Sequence, residues 1–373
     1  MTVPHPETVR RITLIGAGMI AREHAAAIGH LPNAGEIALA VADPSPTARE
    51  GFLERFPGIR VVADAAELLA EPAQPGDVVI VATPPFTHRA LTLQALASGR
   101  HVLCEKPLAM DVDEAEEMVA AAERAGRVLA ECSNRFLGLP ANVAVRDLIT
   151  AGELGPLTSA TFVHRVRRAR TGIEYLPDTS WFLNSSRSGG GVLMDWGCYD
   201  LSTLIHVLRP VSVDVMSAFS ANPETALDLP PGTVFDTDQH VGAALVFHRA
   251  DGQRVPVAYE RAAAIHGTER QVVEIEGTRS AVRWDWLDWQ GDGRVTVMTD
   301  RDGQPHEDTR TLGVPAVFCH QRPLVAFAAM LRGEPSETLA GNDALFGLRV
   351  LRAVQDAATS GRPQSIARTE MAR

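Results

Sequence analysis

Between residues 11 and 134 short β-rich apolar runs alternate with amphipathic stretches of roughly ten to fifteen residues, and this alternation leaves few folds open. It specifies βαβ units and a parallel sheet. The runs at 12–15, 36–42, 60–62, 77–82, 101–105 and 128–133 supply six strands, enough for one doubly wound sheet. After a helical stretch at 141–151 and the break Gly152-Glu153-Leu154-Gly155-Pro156 the alternation stops. Strand-like runs at 158–170, 211–221, 239–248, 254–262, 271–276 and 281–286 then follow one another, with tight polar turns such as Ala250-Asp251-Gly252-Gln253, which predicts an antiparallel or mixed sheet. Stretches at 323–332 and 343–359 read as closing helices, the second stopped by Gly361 and Pro363. A chain of 373 residues exceeds what one core supports, so two domains are expected, at 1–134 and 135–373. The fold class is α/β: an N-terminal doubly wound domain plus a C-terminal α+β domain with a large, mostly antiparallel sheet, the last helices packing back on the first domain.

The first run leads into Gly16-Ala17-Gly18-Met19-Ile20-Ala21 and an alanine-rich helix. This is the G-x-G-x-x-A form of the dinucleotide fingerprint of a Rossmann domain. Gly16 permits the tight turn, Gly18 lets main chain approach a pyrophosphate, Ala21 keeps helix and sheet close, and the helix N-terminus attracts the anion. Asp43 ends the second strand, where an acid holds the ribose diol. Pro44-Ser45-Pro46 follows with no arginine immediately after the acid, which favours NAD; Arg49 keeps NADP open. The fourth strand ends in Thr83-Pro84-Pro85-Phe86-Thr87-His88. Ligands of such sheets lie beyond the strand ends at the switch in strand order, so Thr83 and Pro84 should border the cofactor. His88 suits either a general acid or a structural hydrogen bond.

Of the 35 lysines and arginines, one is a lysine: Lys106, in Glu105-Lys106-Pro107 at the end of the fifth strand. Arginine stays charged at any accessible pH, whereas an ammonium shifts readily on burial and suits proton chemistry. Composition and position together make Lys106 the leading catalytic candidate. The net charge of −11 argues against nucleic acid or an anionic membrane as partner, because both demand a positive footprint. The expected ligand is a small molecule. Cys104, Cys132, Cys198 and Cys319 are too scattered for a metal knuckle or a redox motif and read as reduced thiols. No metal site is expected. With no leader-like segment and no run long enough to span a bilayer, a cytoplasmic protein is expected.

Together the glycine turn, Ala82-Thr83-Pro84-Pro85 with His88, Gly99-Arg100-His101-Val102-Leu103-Cys104-Glu105-Lys106-Pro107 and Gly189-Gly190-Gly191-Val192-Leu193-Met194-Asp195-Trp196-Gly197-Cys198-Tyr199 resemble the Gfo/Idh/MocA oxidoreductases, over nearly the whole chain. These are NAD(P)-dependent enzymes acting mainly on sugars and cyclitols. The resemblance implies that Lys106 lies beside nicotinamide and substrate hydroxyl, often with a cis bond before the proline. It implies cofactor contacts at Gly16, Gly18, Met19, Ile20, Asp43, Thr83, Pro84, His88, Glu105 and Lys106. It also implies a substrate-binding C-terminal domain whose sheet makes a homodimer or homotetramer. Many relatives carry histidine where this chain has Tyr199, and aspartate where it has Ser202; a branch of sugar and aldose dehydrogenases resembles this chain in using tyrosine.

Asp195 and Tyr199, four apart at the start of a helix, should share one face. A phenol is a poor base near neutral pH unless an ammonium or polar network assists it. The expected mechanism has Tyr199 exchange a proton with the substrate oxygen, Lys106 stabilise the oxyanion and Asp195 orient its partners; the roles of Lys106 and Tyr199 are interchangeable at this stage. Trp181, Arg187 and Asn134 are candidate substrate contacts, because aromatic faces stack on sugars and loops on rigid sheets hold substrates. The cationic run His164-Arg165-Val166-Arg167-Arg168-Ala169-Arg170 suits an anionic group or a solvated edge, and Trp284, Trp286 and Trp289 suit core or interface. Three activities fit: hydride transfer between NAD(P) and a carbinol or carbonyl carbon in a cleft between the domains, an NAD-dependent glycosidase working by transient oxidation, and a non-catalytic sugar or cofactor sensor.

Overall fold

The computed structural model describes residues 6–167, 177–222, 231–287, 293–313 and 315–368. Among them the strands form two sheets, of seven and nine strands. The chain divides into two compact units, Met1–Arg135 with Ala316–Leu345, and Phe136–Pro315 with Phe346–Arg373.

The first unit carries β1 (Arg11–Ile15), β2 (Ala38–Ala42), β3 (Arg60–Val62), β4 (Asp77–Val81), β5 (His101–Cys104) and β6 (Leu129–Glu131). They pair in parallel in the order β6-β5-β4-β1-β2-β3, and the two-residue strand Leu339–Ala340 adds antiparallel to β6. Every residue of β4 is buried, as a central strand covered on both faces requires. The order reverses direction between β1 and β4, so their C-terminal ends form the switch point. Gly16 fixes the approach of these two ends. Its φ is +105°, and a Cβ there would lie 2.3 Å from the Ala82 carbonyl oxygen, so a larger residue would push β1 and β4 apart. Helix Arg322–Leu331 belongs to this unit and adds Leu324, Phe327, Ala328 and Leu331 to its core. The last helix, Asn342–Ser360, departs from expectation: from Phe346 onward it belongs to the second unit.

The second unit carries β7 (Leu157–Arg165), β8 (Pro210–Ala221), β9 (His240–Arg249), β10 (Arg254–Ala262), β11 (Arg270–Gly277), β12 (Ala281–Trp284), β13 (Arg294–Arg301) and β14 (Gln304–Thr311). Their order is β14-β13-β12-β11-β7-β10-β9-β8, with Gln364–Ala367 beyond β8, and every pairing is antiparallel except β7 with β10. The hairpin of β13 and β14 is an addition to the strands read from sequence. Nearly all of β14 is exposed, so it lacks the apolar alternation that marks a half-buried strand. On β7 and β10 the buried residues Ala160, Phe162, His164, Val257, Tyr259 and Arg261 alternate with more exposed ones, so one face of the sheet is covered and the other open. Helix Pro140–Thr150 is tied to the covered side: Asn142 accepts from Trp284 Nε1 at 2.7 Å and donates to the carbonyl of Trp286 at 3.3 Å.

A buried ion pair joins helix Cys198–Leu208 to the sheet. Arg261 donates through Nε to Asp200 at 2.8 Å and through a second nitrogen to the other oxygen, and Tyr259 Oη donates to the same carboxylate at 3.0 Å. Removing one partner strands the other charge away from water. Asp200→Ala should cost about 3–5 kcal/mol in urea unfolding, and the double variant Asp200→Ala/Arg261→Met should recover part of that loss.

Candidate active site

In the first unit the glycine turn opens helix Met19–Ala27, whose N-cap, Gly18, supplies no side-chain cap, and a Cβ on Gly18 would meet nothing within 4 Å. Uncapped amides facing open space are what a pyrophosphate requires. Met19 is 60% exposed beside this opening, while Ile20 packs on the core, so any contact from Ile20 comes from its main chain. Asp43 is fixed at the end of β2: its two carboxylate oxygens accept the amides of Ala17 and Ser45, each at 2.8 Å. Each oxygen keeps a lone pair for a diol. Arg49 donates to the main-chain carbonyls of Asp43 at 2.6 Å and Pro44 at 3.0 Å, which holds its guanidinium next to the acid. These residues fit a dinucleotide.

Past β4, Thr83 bonds Thr87 through their hydroxyls at 2.7 Å, and Thr87 caps the Pro84 carbonyl at 2.8 Å. Of the two uses the sequence leaves to His88, the geometry shows the structural hydrogen bond. Its ring is fully buried, with Nε2 2.8 Å from the Thr83 carbonyl and Nδ1 2.9 Å from that of Pro107, and burial lowers its pKa against the pull of those carbonyls. It ties the turn after β4 to the turn after β5. Lys106 stands half-buried at the end of β5, followed by a cis Lys106–Pro107 peptide. Beneath it Glu105 is buried and accepts from His24 Nε2 at 2.8 Å, from Arg135 at 2.6 Å and from the amide of Lys106 at 3.2 Å. Burial alone would push this carboxyl up; Arg135 and the His24 hydrogen bond outweigh it and hold it well below the ordinary range. The Glu105 side chain is therefore a buried anchor for the amide of Lys106. Asn134 is also buried, with an Oδ1 that lacks a hydrogen-bond partner among the described residues.

Two further groups here escaped the sequence reading. Arg135 completes the Glu105 network, and Glu131, buried at the end of β6, accepts the Ser133 hydroxyl at 2.5 Å. An acid closing an otherwise apolar run was the available signal for the second. Among the described residues, His24, Glu105 and Cys132 come close enough together to hold a metal ion, but the Arg135 guanidinium already occupies the Glu105 oxygen that faces His24.

In the second unit the glycine run is clamped by Asp238. Its carboxylate accepts the amides of Gly191 at 2.9 Å and Leu193 at 3.1 Å, and its carbonyl accepts from Val192 at 2.8 Å. A Cβ on Gly191 would lie 1.8 Å from that carbonyl oxygen, so only glycine fits. The segment then makes a π-helical turn, Leu193–Gly197, before helix Cys198–Leu208. Such turns recur at functional sites, and this one replaces the plain α-helical spacing expected between Asp195 and Tyr199. Asp195 is half-buried on the π turn. Tyr199 is buried, its ring meeting Phe136 edge-on at 5.1 Å and Trp196 at 5.7 Å. Behind them the Arg261 guanidinium lies 5.2 Å from the Trp196 ring and 5.7 Å from that of Trp286. Burial, reinforced by Arg261, lowers His164 to about 3, so its imidazole is neutral.

Trp181 is half-buried and stacked on Phe182 at 3.8 Å, while Arg187 is exposed in the short helix Ser185–Ser188. Trp284 and Trp286 are core residues. Trp289, Arg168, Ala169 and Arg170 lie outside the described residues.

Residues 10–132 match the model of an oxidoreductase family with an NAD-binding Rossmann fold, and residues 142–283 match the GFO/IDH/MocA C-terminal domain. The chain is 28% identical to 1,5-anhydro-D-fructose reductase of Ensifer adhaerens, over 96% of this chain and 99% of that one. It is 31% identical to dTDP-3,4-didehydro-2,6-dideoxy-alpha-D-glucose 3-reductase of Saccharopolyspora spinosa over 79% of both. A solved levoglucosan dehydrogenase in complex with NADH shares the fold at a TM-score of 0.76 and 20% identity, over 96% of this chain and 99% of that one.

The position of Arg49 makes the role of Asp43 testable. In a fluorescence titration Asp43→Ala should weaken NAD binding about tenfold or more, the scale of a lost charged hydrogen bond, while NADP binding holds or improves because the guanidinium stays in place.

Proposed function

The chain belongs to the Gfo/Idh/MocA oxidoreductase family, and we propose that Lys106, Tyr199 and Asp195 are the residues that act on its substrate. The activity is hydride transfer between NAD and a carbinol or carbonyl carbon of a sugar or a close sugar derivative. Bound NAD supplies the hydride acceptor, or NADH the donor. The chain's own task is to bind the sugar, shield the reacting carbon and move one proton at the substrate oxygen. The observation that carries the assignment is the setting of Lys106: its main chain is anchored on an ionised, fully buried carboxylate at a strand end next to the switch point.

In oxidation, Tyr199 Oη takes the proton of the substrate hydroxyl and Lys106 Nζ donates a hydrogen bond to the same oxygen as charge develops there. Asp195, an acceptor, orients a sugar hydroxyl or the ammonium. Tyr199 suits this work because Phe136 and Trp196 fix its ring, so little is lost in orienting it. Trp181 offers a face to the apolar side of a sugar, Arg187 offers donors to its hydroxyls and the Oδ1 of Asn134 an acceptor. NADP remains a second cofactor through Arg49.

Among the described residues no helix is long and apolar enough to cross a membrane. The four cysteines are buried and none forms a disulfide, which supports a cytoplasmic setting. The open face of the nine-stranded sheet, where Met216 and Phe219 are each 50% exposed, is the surface we assign to a homodimer or homotetramer.

A panel of sugars, cyclitols and glycosides with NAD and NADP, followed at the nicotinamide absorbance band, tests the activity. Reduced cofactor should accumulate with one class of sugar; cleavage of a glycoside without net accumulation would instead identify the glycosidase. On the best substrate, Lys106→Arg and Tyr199→Phe should each lower kcat by about 10²–10⁴-fold, with NAD affinity within a few-fold of the parent. Near-normal turnover of Lys106→Arg contradicts the role given to the lysine.

A further inference from the structure

We propose that Glu131 is a positioning residue of the reaction, a buried carboxyl whose charge acts on Lys106 from the neighbouring strand. The inference rests on Lys106 acting at the substrate oxygen, as assigned above.

The geometry comes from the sheet. Parallel pairing sets Glu131 of β6 directly against Cys104 of β5, and the next two residues of that chain are Glu105 and Lys106. The carboxyl is buried and its side-chain partner is the Ser133 hydroxyl. Its neighbour Glu105 is held by Arg135 and His24, whereas a hydroxyl provides Glu131 with no compensating positive charge. A buried carboxyl in that position is comfortable as the neutral acid and tolerates ionisation only with help from nearby charge.

The groups facing it can be named element by element. From the end of β5 come Cys104, Glu105 and Lys106, and from its own segment Cys132, Ser133 and Arg135. Helix Met19–Ala27 contributes His24 through its bond to Glu105. The strand Leu339–Ala340 contributes no titratable group, and helix Val112–Ala125 buries Ala115, Met118, Val119 and Ala122. His320, also near Glu105 and Lys106, is kept at about 3 by burial and stays neutral. Cys104 and Cys132 are pushed well above the thiol range by burial and remain protonated.

Burial raises Glu131 to about 7; the Ser133 hydroxyl and amide oppose the rise, the Glu105 anion adds to it, and the Lys106 ammonium works against it. Coupling between two titrating groups is reciprocal. If the ammonium favours the carboxylate of Glu131, that carboxylate equally favours the ammonium. Above about 7 Glu131 is an anion beside the end of β5, and below it the carboxyl is neutral.

Infrared difference spectra recorded on either side of pH about 7 test this on the protein without substrate. The C=O stretching band of a buried protonated carboxyl should disappear as pH rises, and should be absent throughout in Glu131→Gln. In Lys106→Met its midpoint should move up by on the order of one pH unit, because the ammonium that favoured the carboxylate is gone. Ser133→Ala should also move it up, and this variant together with Lys106→Met carries the test should Glu131→Gln fold poorly. In turnover, the parent should show an inflection of kcat/KM for sugar oxidation near the infrared midpoint, which shifts with Ser133→Ala and is lost in Glu131→Gln. A midpoint unmoved by Lys106→Met, or a Glu131→Gln profile superimposable on the parent, overturns the proposal. Failure to oxidise any sugar would count against the assigned activity and would leave the infrared result standing by itself.

Discussion

The surroundings of Lys106 in the first unit depend on one buried carboxylate. Glu105 ends β5 in an environment that by burial alone would keep it protonated, yet Arg135 and His24 hold it ionised. An ion pair of this kind contributes little net stability, because desolvation offsets most of the attraction. Its value is positional: a charge that cannot move without losing both partners, bonded to the amide of Lys106, gives the lysine a fixed base. His88 does comparable work from the other side, pinning the turn after β4 to the turn after β5. The Lys106 main chain is thus held through Glu105 and Pro107.

The second unit solves a similar problem with different means. Asp238 clamps the glycine run by two amides, and Asp200 draws Arg261 to the base of the helix that carries Tyr199. Between these two fixed points lies the π turn bearing Asp195. An added residue per turn leaves main-chain groups poorly matched, so it persists only where the surroundings over-determine it. Two carboxylates and an aromatic wall of Phe136, Trp196 and Trp286 supply that surrounding structure.

What the sequence disclosed follows from which forces are local. The six parallel strands were legible because burial on both faces writes a continuous apolar run, as in β4, and the glycine turn was legible because a positive φ and a close approach to Ala82 leave no alternative residue. Lys106 stood out through the scarcity of its own residue type. The hairpin of β13 and β14 did not, since exposed strands held by main-chain pairing leave no pattern in side chains. Nor did the Asp200–Arg261 pair, whose partners are 61 residues apart and meet only through the register of the sheet. His88 was legible only as a pair of alternatives. A histidine near a strand end invites a chemical role, and only its two carbonyl partners reveal that both ring nitrogens are already engaged.

Lysine, tyrosine and the charges behind them matter only if a hydride leaves a sugar carbon for the nicotinamide. Supplying the best sugar in perdeuterated form with NAD, then weighing the recovered NADH by mass spectrometry, measures that transfer itself. Hydride transfer predicts NADH with one deuterium in place of one hydrogen. Oxidation of the sugar with no deuterium in the recovered nicotinamide would contradict it.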